Sequence, residues 1–160
     1  MPSSLAFEEQ FGPISASDIT DFERLIRAEL PNAYKEFLLE TNGGRPIPAD
    51  FLIPGTETSS TVSVLLGIDK TSSRNDLVHV FQNQELEIGD DNIEIGNDLG
   101  GNLLLLVFRG KKTGAVLYVD ILWELPESVE STFNSYVLSN SFDEFLDSLF
   151  EFQFPQGQDK

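Results

Sequence analysis

Residues 103–108 (LLLLVF) form an apolar run with no alternation of inward and outward positions, which predicts a strand covered on both faces. The next six residues, RGKKTG, carry two glycines and three bases, and a second apolar run, 115–121 (AVLYVDI), follows. That order predicts a central β-hairpin. Ahead of it, Gly96, Gly100 and Gly101 with Asn97, Asp98 and Asn102 are residues that tolerate positive φ, so a loop is expected there.

Elsewhere the period is helical. Ser15 or Ser17 offers an N-cap, Asp18 and Asp21 sit in a first turn, and Ile19, Phe22, Leu25, Ile26 and Leu30 recur at amphipathic spacing. Leu30-Pro31 interrupts this helix, since a residue before proline disfavours the helical region, and Pro31 suits the first turn of a second helix. The second helix is expected over 32–41, burying Tyr34, Phe37 and Leu38, with Asn42-Gly43-Gly44 as its left-handed stop. Three prolines and several Ser and Thr residues predict a loop over 45–60, with at most a short strand at 51–53. TVSVLLGI at 61–68 reads as a strand, and Asn75 or Asp76 caps a short helix carrying Leu77, Val80 and Phe81. Residues 123–131 form an acidic connection and 132–138 a short edge strand. Ser141 and Glu144 make a capping box ahead of Phe142, Phe145, Leu146, Leu149 and Phe150, which predicts a closing helix. Helices at both ends with strands between them imply one α+β domain, a mixed, mainly antiparallel central sheet flanked by N- and C-terminal helices. Its core is expected over about 14–152, with 1–13 and 155–160 frayed.

Three segments, taken in order, resemble the Smi/Knr type of the SUKH superfamily. ISASDITDFERLIRAELPNAYKEFLLETNGGRP is similar to that family's capped helix, Leu-Pro start of a second helix and Asn-Gly-Gly end. IEIGNDLGGNLLLLVFRGKKTGAVLYVDI resembles its Ile-Gly-x-Asp-x-Gly-Gly loop and hairpin, and LSNSFDEFLDSLF its closing Ser-Phe-x-x-Phe-Leu helix. The chain departs from the pattern at Asn102, where members often carry an acidic residue. The resemblance implies a mixed sheet with flanking helices and a non-enzymatic role. Many bacterial members are immunity proteins that bind and neutralise toxins, often nucleases, of contact-dependent or polymorphic toxin systems. Fungal relatives regulate cell-wall assembly through protein contacts.

Charge sharpens that expectation. The 160 residues carry a formal net charge of −17, yet 40% of them are hydrophobic and 13 are Phe, so the chain is expected to fold despite its acidity. Residues 113–159 contain no Lys or Arg but hold Asp120, Glu124, Glu127, Glu130, Asp143, Glu144, Asp147, Glu151 and Asp159. A second base-free block holds Glu85, Glu87, Asp90, Asp91, Glu94 and Asp98. Such a field repels nucleic acid and anionic membranes and speeds encounter with a basic partner. The absence of cysteine removes disulfides and thiolate chemistry and suits a cytoplasmic protein. The start, MPSSLAFEEQFG, shows no basic-then-apolar secretory pattern, and apolar runs stay far below the roughly 20 residues of a membrane span.

Candidate chemistry is sparse. His79 is the one histidine, set among Leu77, Val78, Val80 and Phe81, and a structural or surface role is expected for it. Gly110-Lys111-Lys112-Thr113 lacks the earlier glycine of a phosphate loop, Leu105 standing in its place, so it reads as a hairpin turn. Asp90, Asp91 and Asp98 do not reproduce a calcium loop, and no Gly-x-Ser-x-Gly elbow occurs. No catalytic, metal or cofactor residue is therefore nominated. The function expected is a toxin-neutralising immunity protein; the alternative is a non-enzymatic regulatory or scaffolding module of the cell-wall regulator type. The candidate partner-binding residues are Glu85, Glu87, Asp90, Asp91, Glu94, Asp98, Glu124, Glu127 and Glu130, with Trp123 and Phe51 as apolar anchors.

Overall fold

The computed structural model describes residues 5–71, 74–121 and 133–152. In chain order the elements are β1 (Ala6–Glu8), α1 (Ala16–Ile26), α2 (Asn32–Glu40), β2 (Arg45–Ile47), β3 (Asp50–Leu52), β4 (Ser59–Leu65), α3 (Leu77–Gln82), β5 (Asn92–Asp98), β6 (Leu103–Val107), β7 (Val116–Ile121), β8 (Phe133–Ser139) and α4 (Phe142–Ser148). Strands β3 to β8 form a six-stranded sheet in sequence order, antiparallel throughout, and β1 pairs with β2 in a separate ribbon. This is the α+β architecture expected from the pattern.

Both faces of the sheet are covered. Leu104, Leu106, Val116 and Tyr118 join the main core with Phe22 of α1, Phe37 of α2 and Phe145 of α4. On the opposite face, Leu103, Leu105 and Val119 form a smaller cluster, packed by Leu86 and Ile88 from the segment between α3 and β5. The unbroken run on β6 follows from this arrangement, because neither of its faces meets water. Aromatic rings knit the main core. Phe142 lies 5.0 Å from Tyr34 and 4.9 Å from Phe37, and Phe51 lies 5.4 Å from Tyr118 and 6.0 Å from Phe145.

The caps explain the helix boundaries. The Ser15 backbone N–H donates to Asp18 at 2.9 Å at the start of α1, and Asp76 accepts from the His79 N–H at 3.2 Å ahead of α3. Before α4, Ser141 Oγ accepts from the Glu144 N–H at 3.1 Å, while Glu144 reaches back to the Asn140 N–H at 3.2 Å. After α2, Asn42, Gly43 and Gly44 take φ of 53, 79 and 116°, the expected left-handed stop.

Four expectations need correction. Within 45–60 the short strand expected at 51–53 is present as β3 at 50–52, but β2 and the first two residues of β4 replace further parts of the expected loop, and β1 claims part of the lead-in through the Phe7↔Pro46 register. Gly96, Asn97 and Asp98 belong to β5, which leaves only 99–102 as a loop. Gly96 is required there by close approach: a Cβ on it would meet the Val64 carbonyl oxygen at 2.6 Å. Phe51 is 1% exposed and belongs to the core, so it is no surface anchor.

Candidate site: an acidic cleft beside the sheet

The segment joining α3 to β5 crosses the sheet with its apolar residues inward and its acids outward. Leu86 and Ile88 pack on the second face of the sheet, and Glu85, Glu87, Asp90 and Asp91 are exposed. Alternation of this kind lets one stretch cover apolar surface while presenting carboxylates to water. The segment is fixed at both ends by Asn92, whose Nδ2 donates to the Ile88 carbonyl at 2.7 Å, and by Gln84, whose Nε2 donates to Glu94 Oε1 at 3.0 Å.

Between this segment and the C-terminus of α1 lies an open cleft of about 790 Å³. Leu25, Phe81 and Phe108 supply apolar wall, and Glu87, Asp90 and Glu94 supply carboxylates. Arg109 closes one side. Its Nη2 donates to the carbonyls of Ile26 at 3.1 Å and Arg27 at 3.4 Å, at the negative end of α1. Its Nη1 lies 3.5 Å from the Asp90 carbonyl oxygen, so one guanidinium ties α1 to the acidic segment. The described lining carries carboxylates, amides and guanidinium groups, with no hydroxyl, imidazole or amine. Its carboxylates and apolar walls equip it to bind cationic or amphipathic groups. Among the described residues no cluster of His, Cys, Asp and Glu has the geometry to hold a metal ion.

Glu94 differs from its neighbours because it is half-buried, and burial raises its pKa above the ordinary glutamate value, only partly offset by the Gln84 hydrogen bond. A carboxyl whose folded-state pKa is raised weakens the fold where it is ionised, and the penalty fades as pH falls through that titration. Glu94→Gln keeps an acceptor for Gln84 and removes the penalised charge. It is expected to raise Tm by about 1–3 °C at pH 7, with a smaller gain at pH 5. Thermal denaturation at the two pH values checks this.

Of the acids nominated from sequence, the structure brings Glu87, Asp90 and Glu94 to the cleft and places Glu85 and Asp91 on the same exposed segment. Asp98 is the exception. It is 4% exposed and faces inward at the end of β5. Its Oδ2 accepts from Tyr118 Oη at 2.7 Å, Ser60 Oγ at 2.7 Å and Asn102 Nδ2 at 3.2 Å. Its Oδ1 accepts from the N–H groups of Gly100 at 2.9 Å and Asn102 at 2.8 Å. Burial alone would raise its pKa, but these hydrogen bonds outweigh it and hold the carboxyl below the usual aspartate value. Asp98 is thus a structural lock on the β5–β6 turn rather than a surface contact. Trp123, Glu124, Glu127 and Glu130 lie outside the described residues.

The sequence reading did not single out Arg27, Gln84 or Arg109 for the cleft. Arg109 carried a local signal as part of a hairpin turn, but its partners on α1 lie 82 and 83 residues earlier in the chain. Asn102, the departure from the family pattern, has a defined role: it donates to Asp98 and to Tyr118 Oη at 2.9 Å and accepts from the Ile121 N–H at 2.8 Å. A carboxylate in its place could not donate to Asp98.

Among the described residues no helix is long and apolar enough to cross a membrane. Comparison with curated proteins gives no match. The family model for the SMI1/KNR4 family (SUKH-1) does match, over residues 13–148, a span that runs from the lead into α1 through the last turn of α4 and contains the cleft and the Asp98 lock; the chain belongs to that family.

Proposed function

We propose that this chain is a single-domain, cytoplasmic immunity protein of a bacterial polymorphic or contact-dependent toxin system, which neutralises its toxin by binding it through the acidic segment and the cleft beside it. Family membership supports a protein partner. The observation that carries the acidic mechanism is the grouping of Glu85, Glu87, Asp90 and Asp91, all exposed, on one segment whose apolar residues are anchored in the sheet. Residues 75–108 contain no Lys or Arg to neutralise that segment from within. A toxin acting on nucleic acid needs a positive working surface to hold phosphates, and a carboxylate-bearing protein competes for it and associates quickly. The cleft would take basic or amphipathic side chains of the toxin. Trp123, Glu124, Glu127 and Glu130, which lie outside the described residues, are further candidate contacts in this reading.

Co-expression with the product of the neighbouring gene, scored for rescue from toxicity, tests the proposal. Neutralising the segment with E85Q, E87Q, D90N and D91N together is expected to slow association about tenfold or more at low salt and to flatten its salt dependence. The fold should be preserved, because these carboxylates face water. Rescue that survives with unchanged association kinetics would discard the acidic mechanism. Failure to find any toxin partner would favour a regulatory module that binds other proteins.

A further inference from the structure

The two outer strands of the sheet are treated differently. On one edge, β3 is three residues long, carries Asp50, and is closed off by the chain after α4: Asp50 and Phe150 exchange backbone hydrogen bonds at 2.9 and 3.0 Å, and the Phe152 N–H donates to Asp50 Oδ2 at 2.8 Å. Short length, charge and cover are the usual means of protecting an edge. On the other edge, β8 is seven residues long, and among the described residues no strand lies beyond it. It also carries no charge. Residues 131–142 are twelve consecutive uncharged positions, the longest such run in a chain of net charge −17. Runs of similar character occur at 58–68 and 99–108, which supply the interior strands β4 and β6. β8 shares the charge-free character of β4 and β6, yet it stands at the edge, where the sequence placed 132–138. Val137 is 41% exposed on it.

We infer that β8 pairs antiparallel with β8 of a second copy of this chain, joining two six-stranded sheets across a two-fold axis. Charge selects the occupant. A basic partner would gain from carboxylates, and this strand has none. Two copies at −17 repel one another everywhere except where charge is absent, and a charge-free strand is where they can touch. Symmetry fits as well, since an antiparallel strand pair is self-complementary and a two-fold contact uses the same patch on both copies. The register break between Val116 and Leu117 bulges β8 at Leu138, which leaves 133–137 as the regular stretch and centres the axis near Ser135. The ends are unlike in charge: Lys111 and Lys112 stand beside Val137 and Asn140 at one end, and Asp120 pairs with Asn134 at the other. Antiparallel pairing turns the basic end of one copy toward the acidic end of the other. The proposal is independent of the toxin reading, because it concerns the opposite kind of surface and the chain alone.

Sedimentation equilibrium of the purified full chain, from about 1 µM to 500 µM and in low and high salt, tests it. A strand edge alone is a small interface, so a dimer dissociating at about 10–100 µM is expected. Salt should tighten it by screening the mutual repulsion, the reverse of its effect on binding a basic protein. Ser135→Lys places two like charges opposite one another at the axis and is expected to weaken the dimer at least tenfold (about 1.4 kcal/mol). Because it also lowers the net negative charge, general repulsion cannot account for the loss. Asn134→Lys serves the same purpose should Ser135→Lys fail to fold, as judged by circular dichroism. A chain that stays monomeric throughout, a dimer that salt weakens, or a dimer indifferent to whichever lysine variant folds would overturn the proposal. So would hydrogen exchange showing β8 protected only in a complex with a different protein.

Discussion

Asn42→Ala is expected to lower Tm by about 8–16 °C, from a loss of about 4 kcal/mol in a chain of this size. Asn42 is 1% exposed, and its side chain is used at both ends. Nδ2 donates to the carbonyls of Gly12 at 2.8 Å and Ile68 at 2.9 Å, and Oδ1 accepts from the Ile68 N–H at 2.8 Å. One amide therefore pins the end of α2 to the segment before α1 and to the chain leaving β4. Alanine removes the partner of both Ile68 backbone groups, which are buried, and of the Gly12 carbonyl, which water can reach, and it must also adopt a φ of 53°, which costs a residue with a Cβ about 1 kcal/mol. Asn42→Gly loses the same hydrogen bonds without that backbone strain and should be the milder change by about 1 kcal/mol. Asn42→Asp keeps an acceptor for Ile68 N–H but sets a carboxylate against two carbonyl oxygens, so it should be the most damaging of the three. Denaturant unfolding of the series reads the order directly: Gly, then Ala, then Asp. Equal losses for Gly and Ala would show that the left-handed backbone contributes nothing.

Asn42 also marks how far local reading reaches. The Asn-Gly-Gly stop was legible because positive φ is a property of a residue and its immediate neighbours. Its other role was not, since Ile68 lies 26 residues and Gly12 30 residues away. The same division runs through the fold. Helices α1 and α4 announced themselves through caps and a 3.6-residue period, and the hairpin of β6 and β7 through two apolar runs and a glycine-rich turn. Strand β5 was hidden because its period of two, Ile93 and Ile95 inward with Glu94 between them, is short and is broken by the register shift between Glu94 and Gly96. Strands β1 and β2 each have three residues and exist only by pairing across about 40 positions. The acidic block was plain in composition, but composition does not say which carboxylates meet water. Glu85, Glu87, Asp90 and Asp91 do; Glu94 half does; Asp98 does not, because Ser60 and Tyr118 reach it from 38 and 20 residues away.

That difference among acids leads to the second large effect. Asp98→Ala is expected to cost about 3–4 kcal/mol, a fall in Tm of about 6–16 °C. It withdraws the common acceptor from Ser60, Tyr118, Asn102 and two backbone N–H groups, of which only the Asn102 side-chain amide keeps another protein acceptor, Tyr118 Oη. Tyr118→Phe removes one of those donors and leaves Asp98 the rest, so it should cost about 1 kcal/mol. The sign of the pH dependence follows from the depressed carboxyl. Its stabilisation is full above the unfolded aspartate range near pH 4 and is lost as pH falls through the lower folded value, so the gap between Asp98→Ala and the parent should close in acid. Two readings of this acid then separate cleanly. If Asp98 were a contact for a basic partner, its alanine variant would keep its Tm and associate slowly. As a lock on the β5–β6 turn it should lose Tm, while association with a toxin partner, measured well below the transition, stays within about twofold of the parent because the exposed carboxylates that steer approach are untouched. An unchanged Tm with a slow association rate would return Asp98 to the surface and place the acidic face at the far end of β5.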